Sequence, residues 1–273
     1  MFATLTSFSS LFMATLFMWL GIGLFNVFMG LRLSEDNVSE IWIGALMSAY
    51  YVGLVLGSRA GHRIIVRVGH SRAFAAAAAT CSVMALSQAL VPDKQVWMLF
   101  RIIAGASIAV QFIVLESWLN EQIENEHRGR VFSFYLVISG LGIALGQMAI
   151  ALFPTMDLRP LILVAICHAI GLIPIVWTVR LHPAPLMPAP LDFGYFIKRV
   201  PAGLGTMFVA GAITSAFFAL APVYVIGKEF TTGEVATFMS AAVVAGLLAQ
   251  WPMGWLSDRI ARDRIIIFNG ALL

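Results

Sequence analysis

Arg101 has the most to explain. It lies in an apolar run, 96–120, long enough to cross a membrane. A guanidinium there costs about 2.5–3.5 kcal/mol on insertion scales, so such residues face a cavity or a partner. Arg101 stands a few residues from one end of the run, and its stem can snorkel to the interface. The cavity-facing orientation is preferred, because Gly105, one turn on, allows close helix approach on the same face. Glu116, near the other end of the run, is the only acidic residue deep inside a span. A carboxylate in low dielectric takes up a proton readily, which makes Glu116 a candidate proton carrier; pairing with a nearby arginine is the preferred role. Asn26, Tyr50, Gln111, Gln147, Thr214, Ser215 and Gln250 are further polar side chains inside apolar runs. A helix–helix hydrogen bond accounts for any one of them. As a set spread over six runs they are candidates to line a central cavity, with two or three expected in the site itself.

The chemistry of soluble catalysts is not written here. His62, His70, His127, His168 and His182 form no HExxH or similar pair, and neither a GxSxG elbow nor a nucleotide-binding loop occurs. Cys81 and Cys167 lie in apolar runs without CxxC or Cys/His spacing and read as small apolar residues. The chain is therefore read as no enzyme, with no metal, no cofactor and no disulfide. Any driving force is an ion or solute gradient, or a partner's. The net charge of +3 is small, and no nucleic-acid partner is expected.

These residues need a frame that holds them in an apolar medium. Hydrophobic residues make up 60% of the chain and charged residues 11%, against about 25% charged in soluble proteins. So few charges cannot cover a surface that faces water. Apolar runs long enough to span a bilayer occur at 7–31, 41–58, 73–91, 96–120, 131–152, 160–179, 201–226 and 235–256, and a ninth begins at 265. They must be helices, because backbone groups in hydrocarbon have no water to pair with. Residues 1–31 carry no charge and no cleavage site, so the first run reads as a retained helix and not as a signal peptide. Alternate loops hold twelve basic residues on one side and four on the other. The positive-inside rule then places the amino terminus and the twelve-charge side in the cytoplasm. The expected location is the plasma (bacterial inner) membrane. Six runs precede the longest loop, where His182-Pro183-Ala184-Pro185 and Met187-Pro188-Ala189-Pro190 favour an extended connection. This divides the chain into a six-helix bundle (1–180), a proline-rich linker (181–200) and the beginning of a second bundle (201–273).

The two bundles look repeated. Arg67-Val68-Gly69-His70-Ser71-Arg72 follows the second span, and Arg259-Ile260-Ala261-Arg262-Asp263-Arg264 follows the eighth. Gly254, Leu256, Asp258, Arg259 and Arg262 fit a G-x-L-x-D-R-x-G-R-R/K loop, although Ala261 and Asp263 depart from it. In the first copy Arg67 and Gly69 fit, but Val66 replaces the acid. Arg101-Ile102-Ile103-Ala104-Gly105 matches R-x-x-x-G, and Glu121 with Arg128-Gly129 matches an acid and an Arg-Gly pair at the base of the fourth and fifth helices. In these motifs, their order and their placement on the spans, the chain resembles the major facilitator superfamily.

The resemblance implies an all-α, polytopic, twelve-helix secondary transporter working by alternating access on a small solute. Its last three helices and most of the ninth would lie beyond this chain, leaving a second bundle too incomplete to transport. A membrane-embedded sensor or assembly component on the same scaffold is the alternative. The resemblance also implies a central site between the bundles. Arginines at helix ends can pair with carboxylates or helix carbonyl ends and lock a bundle shut. Arg67, Gly69, Arg72, Glu121, Arg128, Gly254, Asp258 and Arg259 are the candidates for such a cytoplasmic latch; the alternative is that they only set topology.

Overall fold

A computed structural model describes residues 8–123, 127–155, 157–177, 193–257, 259–260, 264, 267 and 270. Among them, eight helices are long and apolar enough to cross a membrane: α1 (Ser9–Glu35), α2 (Glu40–Val68), α3 (His70–Leu90), α4 (Lys94–Gln122), α5 (Arg128–Ala149), α6 (Arg159–Val176), α7 (Pro201–Ile226) and α8 (Thr232–Ser257). A 3₁₀ turn, Ile150–Leu152, extends α5, and a short helix, Phe193–Arg199, precedes α7. The described residues contain no strand. Each of the eight long helices corresponds to one apolar run of the sequence, and the short helix lies in the segment read as a linker. The proline-rich segment 183–190 lies outside the described residues.

Local chemistry sets the helix ends. Ser39 Oγ accepts the Trp42 backbone N–H at 3.4 Å, and the Asp93 carboxylate accepts those of Gln95 and Val96 at 2.8 and 3.4 Å. Such caps satisfy first-turn donors that have no intrahelical partner. Prolines occupy the first turns of α6 and α7, where a missing N–H costs nothing. Helix α2 runs well past residue 58, where hydropathy ends the second span. Arg59, Arg63 and Arg67 lie on its last turns and not in a loop, because arginine is a good helix former once it reaches the interface. Gly69, at φ +84°, then turns the chain into α3, in a backbone region that glycine enters without penalty.

Helix α1 is the axis of the first six helices, with 67% of its most apolar stretch buried. It packs on α5 and α6, α2 packs on α4, and α3 fills the gap between α4 and α6. Glycines set the closest crossings. A Cβ on Gly105 would collide with the Tyr50 carbonyl of α2, and one on Gly146 with the Leu20 carbonyl of α1. The bundle has two apolar clusters. One, around Phe12, Ile65, Phe74 and Trp118, lies toward the arginine-rich ends. The other, around Phe28, Leu46, Trp97 and Leu161, lies toward the arginine-poor ends. Helices α7 and α8, only 17% and 22% buried, add Ala219, Val225, Val235 and Met239 to the second cluster. Helix α7 therefore meets the bundle on the arginine-poor half, and every residue from Pro201 to Thr214 is exposed. Helix α8 instead runs along α5, with Ser240 Oγ donating to the Ala144 carbonyl at 3.1 Å and Leu247 packed on Gly140 near mid-span.

Candidate functional site

Where α7 diverges from the bundle, a cavity of about 280 Å³ opens at mid-span. Asn26 of α1, Tyr50 of α2, Gln147 of α5 and Thr214 of α7 line it, with Trp19, Leu54, Phe112 and Phe218 supplying much of its apolar wall. Four of the seven polar candidates thus converge on one space from four helices. Gln147 is fully buried, and neither end of its amide has a hydrogen-bond partner among the described residues. Gly146 beside it brings α5 close to α1, so the amide sits where the two helices nearly touch. The indole of Trp19 packs on the Phe112 ring at 5.0 Å and borders the cavity toward the arginine-rich side.

Arg101 lies beside this cavity and does not snorkel. It is 2% exposed. Gly105 lets α2 approach so closely that the guanidinium carbon sits 4.9 Å from the Tyr50 ring centre, with Phe25 at 4.8 Å. Each ring face contributes about 0.5–2 kcal/mol, together comparable to the insertion cost of about 2.5–3.5 kcal/mol. The charge is thus tolerated, but its hydrogen-bonding capacity is poorly used. Nε donates to the Leu46 carbonyl at 3.5 Å and Nη2 to Met47 Sδ at 3.6 Å, both near the limit for such contacts. No carboxylate of the described residues lies within 4 Å of it.

The remaining candidates lie elsewhere. Gln111 is buried between α4 and α3 and donates to Cys81 Sγ at 3.3 Å, a helix–helix contact. Gln250 is exposed on α8, and Ser215 is half-buried on α7. Glu116 is exposed one turn beyond Phe112 toward the arginine-rich end of α4, where the Tyr135 hydroxyl reaches its carboxylate at 3.5 Å.

Arg67, Arg72, Glu121 and Arg128 are exposed at the arginine-rich ends of α2, α3, α4 and α5. Gly69 joins the first two of these helices. His70 ties α3 to α4 there: its Nε2 is 3.1 Å from Ser117 Oγ, and Glu121 lies within electrostatic reach. Gly254 falls within the last turn of α8, Arg259 is exposed just beyond it, and Asp258 lies outside the described residues.

Sequence reasoning passed over Gln88 and His168, both buried beside Arg101. The signal was present, since each is a polar side chain inside an apolar run. The aromatic lining had no signal of its own, because Trp19 and Phe112 in a span are indistinguishable from core.

Comparison with known proteins agrees with this architecture. The sequence model of the Major Facilitator Superfamily matches residues 11–273. An uncharacterized MFS-type transporter of Yersinia pestis (strain Pestoides F) is 26% identical over 250 residues, covering 89% of this chain and 64% of the relative. The uncharacterized MFS-type transporter YcaD of Escherichia coli O139:H28 (strain E24377A / ETEC) is 25% identical over 253 residues, 90% of this chain and 65% of its own length. The chain thus spans about two-thirds or slightly less of the curated relatives it matches. Among solved structures, the nucleoside transporter NupG superposes with a TM-score of 0.73 at 13% identity, covering 93% of this chain and 68% of NupG. With the motifs in order along the spans, a six-helix bundle built on α1, and a family match over nearly the whole length, this chain belongs to the major facilitator superfamily.

Proposed function

We propose that the protein is part of a secondary transporter that binds a small solute in the mid-span cavity and exposes it alternately to the two sides of the membrane. The observation that carries this reading is the cavity itself: about 280 Å³, at mid-span, bounded by the six-helix bundle on one side and α7 on the other. A site between the bundle and a helix, α7, that leaves it on one half of the membrane is suited to rocking around a bound solute. Because α7 packs on the arginine-poor half and leaves its other half exposed, this conformer is read as facing the arginine-rich side. The excess of arginine makes that side the cytoplasm, in the bacterial inner membrane, with the amino terminus inside. Arg67, Arg72, Glu121 and Arg128, with the Gly254–Arg259 copy of the loop, are proposed to close that side in the opposite state. Glu116, exposed beyond Phe112, is the proposed carrier if a proton is coupled.

The test is uptake of candidate solutes into proteoliposomes containing the whole transporter of which this chain is part, beside equilibrium binding. Saturable uptake that falls in a double variant, Asn26→Leu with Gln147→Leu, is the expected result. Saturable binding without uptake would favour a sensor on the same scaffold, and neither would defeat the cavity as a solute site. Orientation is tested separately by single cysteines in otherwise native protein. Positions 36, 93 and 157 are expected to react with an impermeant reagent from outside, and position 188 is not.

A further inference from the structure

A second, smaller space opens beside the central cavity, inside the six-helix bundle. Its volume is about 20 Å³, and it shares Ile22, Asn26 and Tyr50 with the larger one. Arg101, Gln88 and His168 line it, at 2%, 1% and 3% exposure. Both ends of the Gln88 amide and Nδ1 of His168 lack a hydrogen-bond partner among the described residues. Buried polar groups are normally paired, so groups without a protein partner from α3 and α6 around one recess, beside a cation on α4, point to a ligand site. The charge decides what that ligand is. A water would satisfy the amide and the imidazole but would leave the guanidinium without a counter-charge. Glu116, the one acid deep in the spans, stands fifteen residues further along α4, about 22 Å at 1.5 Å per residue, too far to serve.

We propose that the recess binds a small anionic group, and that this group is the carboxylate of an otherwise apolar solute whose body fills the larger cavity. Resting on the solute-cavity reading above, this assigns the solute a chemical class. The room suits it: about 20 Å³ holds one or two waters, roughly the space of two carboxylate oxygens. The groups suit it too, since guanidinium N–H and amide N–H are donors matched to a carboxylate. The apolar wall of Trp19, Leu54, Phe112 and Phe218 suits a hydrocarbon or aromatic body. The same donors suit a free chloride ion, the second source of this chemistry.

The experiment measures thermal unfolding of the purified protein in a chloride-free gluconate buffer, titrated with sodium benzoate, with benzamide as its neutral isostere, and with sodium chloride. Benzoate is expected to raise the midpoint saturably, with an apparent affinity at least about tenfold above that of benzamide. Arg101→Gln is expected to erase that difference, and Arg101→Lys to retain part of it. Should Arg101→Gln fail to fold, Gln88→Leu keeps the charge and is expected to weaken benzoate several-fold. A saturable response to chloride, with benzoate no better than benzamide, assigns the anionic group to a free ion and still supports the recess. Equal responses to benzoate and benzamide without a chloride response would overturn the anion recess while leaving the solute cavity standing. No response to any of the three would overturn it as well, and the solute cavity would then rest on the uptake test.

Discussion

Gln147 offers a test that separates a residue serving a site from one serving the scaffold. A buried amide with neither end partnered forgoes the hydrogen bonds it had in water, a cost of about 1–3 kcal/mol. Gln147→Leu is therefore expected to leave the unfolding midpoint unchanged or raised while weakening solute binding and uptake. A clear loss of stability in a detergent melt would show that the amide holds the fold. Asp157 offers the opposite case, a side chain at the membrane surface whose work is local. Its carboxylate accepts the Arg159 backbone N–H at 2.9 Å and pairs with the Arg159 side chain at 2.7 Å, which holds its carboxyl below the usual carboxylate range. A depressed pKa means stabilisation that is present above the ordinary value of about 3.9 and lost only as pH falls through the lower folded value. Hydrogen-exchange protection at the start of α6, corrected for intrinsic rates, is expected to persist at pH 4 and to fall below it. Asp157→Asn is expected to flatten that dependence.

At the scale of the helix, the apolar runs had the right number and order because bilayer thickness fixes their length, whatever their partners. Their ends were less legible. Hydropathy stops α2 at 58 where helix geometry carries it to Val68, since a charge ends an apolar window without breaking a backbone hydrogen bond. The cavity was legible only through its polar members, Asn26, Tyr50, Gln147 and Thr214, which stand out from apolar neighbours. Gln88 and His168 stand out equally, but nothing in one dimension says that α3 and α6 bring them to the face where Arg101 lies. Glycine is similarly ambiguous until its neighbour is known. Gly146 faces the Leu20 carbonyl, and a backbone atom cannot rotate away, whereas Gly211 has nothing within 4 Å. Gly146→Val is expected to cost about 3 kcal/mol or more by forcing α1 and α5 apart. Gly211→Ala is expected to be neutral, or to stabilise by up to about 1 kcal/mol through helix propensity. Thermal unfolding of the two variants side by side checks both, and equal effects would mean that the α1–α5 crossing is looser than its geometry.

Among the described residues, α7 and α8 pack beside the six-helix bundle and leave a cavity between α7 and the bundle. Against the bundle, α7 buries Ala219, Pro222 and Val225, all in its arginine-poor half, with Pro222 against Gly30. Between Pro201 and Thr214 it buries nothing. Among the described residues, the ion pairs Arg32–Glu35, Arg32–Asp36, Lys94–Asp36 and Arg159–Asp157 lie at the arginine-poor ends. Surface pairs of this kind contribute little each, about 0–1 kcal/mol. The apolar seam of Phe28, Val225, Val235 and Met239 is therefore what closes that side, and water is expected to reach the cavity from the arginine-rich side alone. Single cysteines measure this directly, because the native Cys81 and Cys167 are buried and give a low background. In membrane vesicles of either orientation, an impermeant maleimide is expected to modify Thr214→Cys and Asn26→Cys only when it is applied to the arginine-rich face. Val225→Cys, 7% exposed in the seam, is expected to react from neither face. Rapid modification of Thr214→Cys from the arginine-poor face would mean that the seam is open at rest. The conformer would then lie on the other side of the transport cycle, and its closing contacts would have to be sought among Arg67, Arg72, Glu121 and Arg128.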